Sequence, residues 1–273
     1  MRKSRGGVFP ALGAGVWALV VAIPLYYVVV TSLRESDDAL SANPLSLPAE
    51  PTLANYGEVL SDGFLSFLFN SVVVTALTVA VVLCAALLAA YVVVRGRRRR
   101  HQLLFRIFLT GLAIPLQATI IPVYVMIVQM GLYDSLLAVV LPAIAFALPL
   151  SVLILTNFLR DIPEELYESM HLEGAGQFRV LVNLVLPLSR PALMAVGIYQ
   201  ALQVWNGLLF PLILTQRPET AVLPLAIWKF QGQYTINIPA IMAVVVLSAL
   251  PVLLLYILGR RFLVAGLTAG AGR

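Results

Sequence analysis

The chain has 273 residues, of which 60% are hydrophobic and 11% charged, with a formal net charge of +5. Soluble chains average roughly 25% charged residues, so this composition excludes an ordinary water-soluble domain. The one cysteine, Cys84, excludes an internal disulfide and reads as a small apolar packing residue.

Six stretches free of Asp, Glu, Lys and Arg are long enough to cross a bilayer, which takes about 20 apolar residues. They are residues 8–32, 67–94, 107–130, 136–159, 191–214 and 239–259. Backbone groups in lipid must be satisfied within the segment, so the expected fold class is an all-α integral membrane protein, a single transmembrane domain over residues 1–273. The first stretch is longer than a signal-peptide core and has no convincing cleavage site, so it is read as a retained span. With the N terminus inside, the inside segments hold Arg2, Lys3, Arg5, Arg95, Arg97–Arg100, Arg106, Arg160, Arg179, Arg190, Arg260, Arg261 and Arg273, and only Arg34, Arg217 and Lys229 lie outside. That bias sets an expected topology with both termini inside. The Arg97–Arg100 run reads as a juxtamembrane anchor beside anionic lipid heads, with no nucleic acid as partner.

In chain order, span one contains Pro24. The loop over 33–66 carries Glu35, Asp37, Asp38, Glu50, Glu58 and Asp62, and Pro44, Pro48 and Pro51 predict an extended, irregular course. Its acidic face suits either an extracytoplasmic partner or solvent. Asn70-Ser71 opens span two, where Asn70 is placed to cap or to bond across helices. Span three holds Pro115, Gln117, Thr119, Pro122 and Tyr124. Its proline pair predicts a broken helix with exposed carbonyls, of the kind tolerated where it lines a cavity or packs on protein. Residues 131–135 (GLYDS) predict a tight turn, and span four carries Pro142 and Pro149.

Between spans four and five lies the longest polar interruption on the inside, residues 160–190, with five acidic residues. Asp161 and Glu164 have capping-box spacing, and Pro163 suits a first helical turn. Leu166, Tyr167 and Met170 share a face, Gly174-Ala175-Gly176 ends the helix, and a second short helix sets Phe178, Leu181, Val182 and Val185 on its apolar side. Pro187 and Pro191 stop or kink it. In span five, Gln200, Gln203 and Asn206 fall on one helical face, with Tyr199 and Trp205 beside them. Amides facing lipid are costly, so this face looks inward or toward another subunit. It suits an uncharged, hydroxyl-rich ligand or serves as interhelical glue. Trp228, Phe230 and Tyr234 suit an interfacial belt. The glycines of the 260–270 tail suit a close-packed extension.

The interruption resembles the EAA loop of binding-protein-dependent ABC importers. Glu168-Ser169-Met170 stands for Glu-Ala-Ala, Gly174 for the motif glycine, and Leu184, Leu186 and Pro187 close the pattern in register; Glu173 replaces the usual Asp. Over nearly the whole chain, Asn70-Ser71, Ile114-Pro115 to Tyr124, Gly131-Leu132, Trp205-Asn206 and the 266–270 tail are similar to permease subunits of carbohydrate importers of the MalG type. The resemblance implies a type I importer permease that forms a heterodimer with a second permease, together with two ATP-binding subunits and an extracytoplasmic solute-binding protein. It implies that Glu168, Ser169, Met170, Glu173, Gly174, Ala175, Leu186 and Pro187 couple to the ATP-binding subunit. Glu168 would meet a basic residue there, and the face of Leu166, Tyr167 and Met170 would fill a groove. Gln200, Gln203, Asn206, Tyr199, Gln117 and Tyr124 are the candidates for lining the sugar path.

The chain has two lysines, Lys3 and Lys229, and neither stands in a phosphate-binding loop, so ATP with Mg is expected on the partner subunit and no cofactor here. The spans as drawn contain no ionisable carboxylate or basic side chain, which disfavours an ion-coupled secondary transporter. His101 and His171 are isolated and form no metal site. The expected function is ATP-driven import of a sugar of disaccharide or oligosaccharide size across the bacterial cytoplasmic membrane. Import of glycerol phosphate or another polar solute is the nearest alternative.

Overall fold

The computed structural model describes residues 8–36, 38, 43–96, 99–230 and 236–269, with side chains over 12–257 of these. Arg2, Lys3, Arg5, Asp37, Arg97, Arg98, Tyr234, Gly270 and Arg273 lie outside the described residues, and the side chains of Arg260 and Arg261 lie outside those described. The regular elements among the described residues are helical. The chain divides into two compact units, one formed by Met1–Leu65 with Ala226–Pro251 and the other by Ser66–Leu225 with Val252–Arg273.

The first unit contains α1 (Val8–Ser32) and α2 (Ala54–Ser61). Pro24 sits inside α1 without ending it. Over its described residues the loop after α1 turns back on itself, the Thr52 amide donating to the Leu33 carbonyl at 2.8 Å. It folds around Arg34, which is 1% exposed. The Arg34 guanidinium donates to the Asn43 carbonyl at 2.8 Å and to the Ser46 carbonyl at 2.5 Å. Asn55, the second residue of α2, donates to the carbonyls of Ser32 (2.9 Å) and Arg34 (2.8 Å). A buried guanidinium needs acceptors, and two backbone carbonyls and the Ser46 hydroxyl take its Nη2 donors, while Nε finds no partner among the described residues. Lys229 pairs with Asp62 at 2.9 Å in the same unit.

The second unit is built on α3 (Phe64–Arg95), α4 (Arg99–Thr110), α5 (Ile120–Gln129) and α6 (Leu136–Arg160). The third apolar stretch is broken, as its prolines predict, and the break is sharp: the segments Arg99–Ala113 and Leu116–Gln129 meet at 95°. Pro115 lacks an N–H and forces Ile114 out of helical geometry, to φ −81° and ψ 115°. Pro122 falls in the first turn of α5, where a missing N–H costs no helical bond. Gly111 allows the close crossing, since a Cβ there would lie 2.8 Å from Pro149 of α6. Pro142 and Pro149 leave α6 continuous.

After α6 come α7 (Glu164–Leu172), α8 (Gln177–Val180), a π turn (Leu181–Val185), α9 (Leu186–Leu188) and α10 (Arg190–Trp205). The fifth apolar stretch is not one helix. It stops at Trp205, and α11 (Leu209–Leu214) begins after Gly207. Next are α12 (Leu223–Lys229) and α13 (Ile238–Ala269), which carries the sixth stretch and continues through most of the tail as helix. Four helices are long and apolar enough to cross a membrane, Leu12–Ser32, Phe64–Arg95, Leu136–Arg160 and Ile238–Ile257, or up to six if each of two bent pairs is one span. Cys84 is exposed rather than packed, on the face of α3 away from the core.

One end of this unit is held by polar contacts. Asn70 does bond across helices, donating at 2.8 Å to the carbonyls of Glu219 and Ala221, while Ser71 accepts from the Leu223 amide. The 131–135 turn forms, with Gly131 at φ 68° and Asp134 at φ 58°. The Asp134 carboxylate accepts from Thr220 Oγ1 (2.6 Å), Gln216 N (2.8 Å) and Arg217 Nε (2.5 Å). The Thr220 hydroxyl, the Gln216 amide and Arg217 hold this carboxyl well below the usual range. A depressed carboxyl stabilises the fold fully above its unfolded value, near pH 4, and loses that contribution as pH falls toward the folded value. Asp134→Asn is therefore expected to raise amide exchange over residues 215–220 at neutral pH by roughly tenfold, the scale of losing charge-assisted bonds. Wild-type protection should hold to about pH 4 and weaken below it.

Candidate functional site

The acidic interruption is a helix-turn-helix packed on the ends of α3, α6 and α10. Its inner side joins a cluster made of Ala86, Leu87, Ala90 and Tyr91 of α3, Val152, Leu155 and Leu159 of α6, Tyr167, Ala175, Val180, Val185, and Ala192 and Val196 of α10. The capping box does not form. Asp161 caps the C terminus of α6, its amide donating to the Phe158 carbonyl at 3.1 Å, and α7 starts after Pro163 with no side-chain cap. Glu164 instead pairs with Arg95 at 2.5 Å. The Arg95 guanidinium also lies 4.1 Å from the centroid of the Tyr167 ring. Burial pushes the Tyr167 phenol up from its ordinary value, opposed by Arg95.

The turn at Gly174 has Schellman geometry. The Ala175 amide donates to the Met170 carbonyl at 2.9 Å and the Gly174 amide to the His171 carbonyl at 3.0 Å, with Gly174 at φ 76°. His171 Nδ1 lies 3.2 Å from the Ala175 carbonyl, which ties the lone histidine to the same turn.

The predicted coupling residues divide between two sides. Glu168, Ser169 and Glu173 are exposed, as is Leu186, and Pro187 is half-buried. Met170 packs against the cluster and Ala175 is buried in it. Tyr167 is 1% exposed, so the face of Leu166, Tyr167 and Met170 is not free to fill a partner's groove. The core of this chain already covers two of the three. The apolar groups left outward include Leu166, Leu172 and Phe178, the last two 90% and 77% exposed. In the second helix Val185 is buried, Leu181 half-buried and Val182 exposed.

The amide face of α10 also divides. Gln200 is 4% exposed and donates to Ser151 Oγ at 3.0 Å and to the Ala147 carbonyl at 3.2 Å on α6. Gln200 and Gln203 line one cavity of about 240 Å³, walled by α6 and by the break at 207–211. Leu116, beside Gln117, lines it as well. Asn206 shares no lining role there and instead closes α10, its Nδ2 donating to the Leu202 carbonyl at 2.8 Å. Tyr199 and Gln117 are exposed. Tyr124 sits edge-on to Tyr133 at 5.6 Å. Among the described residues no group of three or more His, Cys, Asp or Glu is placed to hold a metal ion.

Sequence reasoning missed Arg95 as part of the site, since it registered only as a topology charge. It also missed Ser151, an unremarkable serine in an apolar run. No local spacing links either one to its partner.

A family match covers residues 82–267, which enclose both the Gly174 turn and the amide cavity. The chain belongs to that family, the binding-protein-dependent transport system inner membrane components. The permease is 40% identical over 256 residues to ORF2 of Caldicellulosiruptor sp. (strain Rt8B.4), covering 94% of this chain and 93% of that protein. It is 32% identical over 266 residues to the trehalose/maltose transport system permease protein MalG of Thermococcus litoralis, covering 95% and 94%. Its fold matches a chain of a bacterial ABC transporter involved in import of the acidic polysaccharide alginate, with TM-score 0.82, 21% identity and coverage of 96% and 99%. The permease is thus a transport component of the inner membrane, not an enzyme.

The Arg95 junction is testable. Stacking on Tyr167 and pairing with half-exposed Glu164 together stabilise the docked α7 by about 1–2 kcal/mol. Arg95→Gln is expected to speed cleavage of α7 by a glutamate-specific protease by roughly tenfold. Arg95→Lys, which keeps the charge but not the planar stack, should fall between the two.

Proposed function

We propose that this permease is one half of the channel of an ATP-driven, binding-protein-dependent sugar importer in the bacterial cytoplasmic membrane. It crosses the membrane six times, with both termini inside and the 160–190 segment in the cytoplasm. The family match over residues 82–267 carries this reading. The sugar, of disaccharide or oligosaccharide size, is supported by the trehalose/maltose name of the Thermococcus relative. A neutral cavity with the amides of Gln200 and Gln203 on its wall suits hydroxyl groups, because an amide offers both donors and acceptors.

The partners are a second permease, two ATP-binding subunits that hold ATP with Mg, and an extracytoplasmic solute-binding protein. Closure of the ATP-binding pair pushes on the exposed side of α7, where Glu168, Ser169, Glu173 and Gly174 lie beside Leu172. Leu186 and Pro187 stand at the other end of the segment. Met170 and Ala175 pass that push to the cluster shared with α3, α6 and α10. The cavity between α6 and α10 then changes access. ATP drives this motion only by favouring one state over the other.

Mild-detergent purification of the tagged chain from its native membrane, with every co-purifying protein identified, tests the assembly. An ATP-binding subunit, a second permease and a solute-binding protein are the expected partners. Recovery of this chain alone in transport-active form would overturn the reading. A second measurement addresses the turn. No atom lies within 4 Å of a Cβ built on Gly174, so Gly174→Val meets only the strain of its positive φ, about 1–3 kcal/mol. The variant is expected to assemble and hydrolyse ATP without driving transport. Full coupled transport by it would rule out a coupling role for the turn.

A further inference from the structure

A second cavity, of about 380 Å³, lies between the C-terminal ends of α3 and α6 and the first two turns of α4. Its volume is within the roughly 300–1,000 Å³ typical of ligand pockets. Arg106 of α4 and Arg160 of α6 line it with the amide of Gln102, and Val93, Val94 and Phe105 form an apolar wall. Among the described residues no carboxylate lines it. Among the described residues neither Arg106 nor Arg160 forms a salt bridge, whereas nearby Arg95 is taken by Glu164. Arg160 lies 5.2 Å from the centroid of the Phe105 ring. A guanidinium in cation–π contact with a ring keeps N–H donors for an acceptor. Gly96, also in the lining, lies against the His101 ring, whose Nδ1 is buried without a partner.

Among the described residues this cavity is therefore lined by two guanidiniums, an amide and an apolar wall, with no anion to balance them. Guanidinium donors match phosphate oxygens, and an apolar wall beside them suits the start of an acyl chain. We propose that this cavity binds a phosphate group, carried by an anionic lipid headgroup or free in solution. The site is separate from the sugar path and from the coupling turn, and it stands whichever solute is imported.

The test uses the full chain, purified with its co-purifying subunits, and native mass spectrometry. The probes are dioleoyl phosphatidylglycerol, dioleoyl phosphatidylcholine and inorganic phosphate. Wild type should retain phosphatidylglycerol in preference to phosphatidylcholine. R106Q/R160Q should lower that retention by roughly fivefold for each guanidinium removed. R179Q/R190Q removes the same charge at exposed residues outside the cavity and should leave retention unchanged. Displacement of the lipid by inorganic phosphate assigns the site to the free anion, and resistance to displacement assigns it to the headgroup. Equal losses in the two double variants, or no loss in R106Q/R160Q, would overturn the proposal. If the double variant does not assemble, R106Q alone carries the same test, since Arg106 forms no ion pair among the described residues.

Discussion

The guanidinium of Arg95 joins the end of α3 to the acidic helix α7, and the arrangement of the 160–190 segment depends on that junction. Without it, α7 is a nine-residue helix whose own N terminus has no side-chain cap. Helices that short are marginal in water, so α7 must draw its stability from packing. Arg95 supplies a flat cation for the Tyr167 ring and an ion pair for Glu164. Tyr91, one turn earlier on α3, donates at 2.6 Å to Gln177 at the start of α8. Both arms of the helix-turn-helix are thus fixed to α3. The segment is tied to the membrane-helix core at more than one point along its length.

The same hydrogen-bond accounting explains where the apolar helices break. A chain in lipid has no water to satisfy a freed carbonyl, so irregular backbone belongs where protein or a cavity covers it. The break at Pro115 lies next to Leu116, which lines the Gln200–Gln203 cavity, and the break after Trp205 supplies the 207–211 wall of that cavity. The two interruptions converge on one space. A third device, the π turn at Leu181–Val185, precedes the 71° bend between the segments Gln177–Leu188 and Arg190–Trp205. Pro187 and Pro191, read as stop or kink signals, flank that bend.

Much of this was legible in the sequence because it rests on backbone chemistry. Pro115 and Gly174 each announce a local geometry through their own covalent structure, and both adopt it. The polar anchors were less legible. Asn70 is marked by being an amide in an apolar run, but its acceptors, the carbonyls of Glu219 and Ala221, lie about 150 residues away and carry no side-chain signature. Arg34 looked like a stray cation in an acidic loop, yet it is the group around which that loop folds. Asp161 and Glu164 had the spacing of a capping box, but the α6 terminus claimed the first and Arg95 the second. Local pattern gives way where a tertiary partner offers a stronger bond.

The cations divide by the partners they find. Arg34, Arg217 and Lys229 are each bound within the chain, Arg34 by carbonyls, Arg217 by Asp134 and Lys229 by Asp62. Each of these positive charges has a structural task in shaping a loop. Arg95 has such a task as well, while Arg106 and Arg160 line a cavity with no carboxylate among its described lining residues. Positive charge is therefore not uniform in use along the chain. Where the chain supplies no counter-charge, the surroundings must, and at the end of an apolar helix bundle the nearest abundant anions are those of the membrane itself.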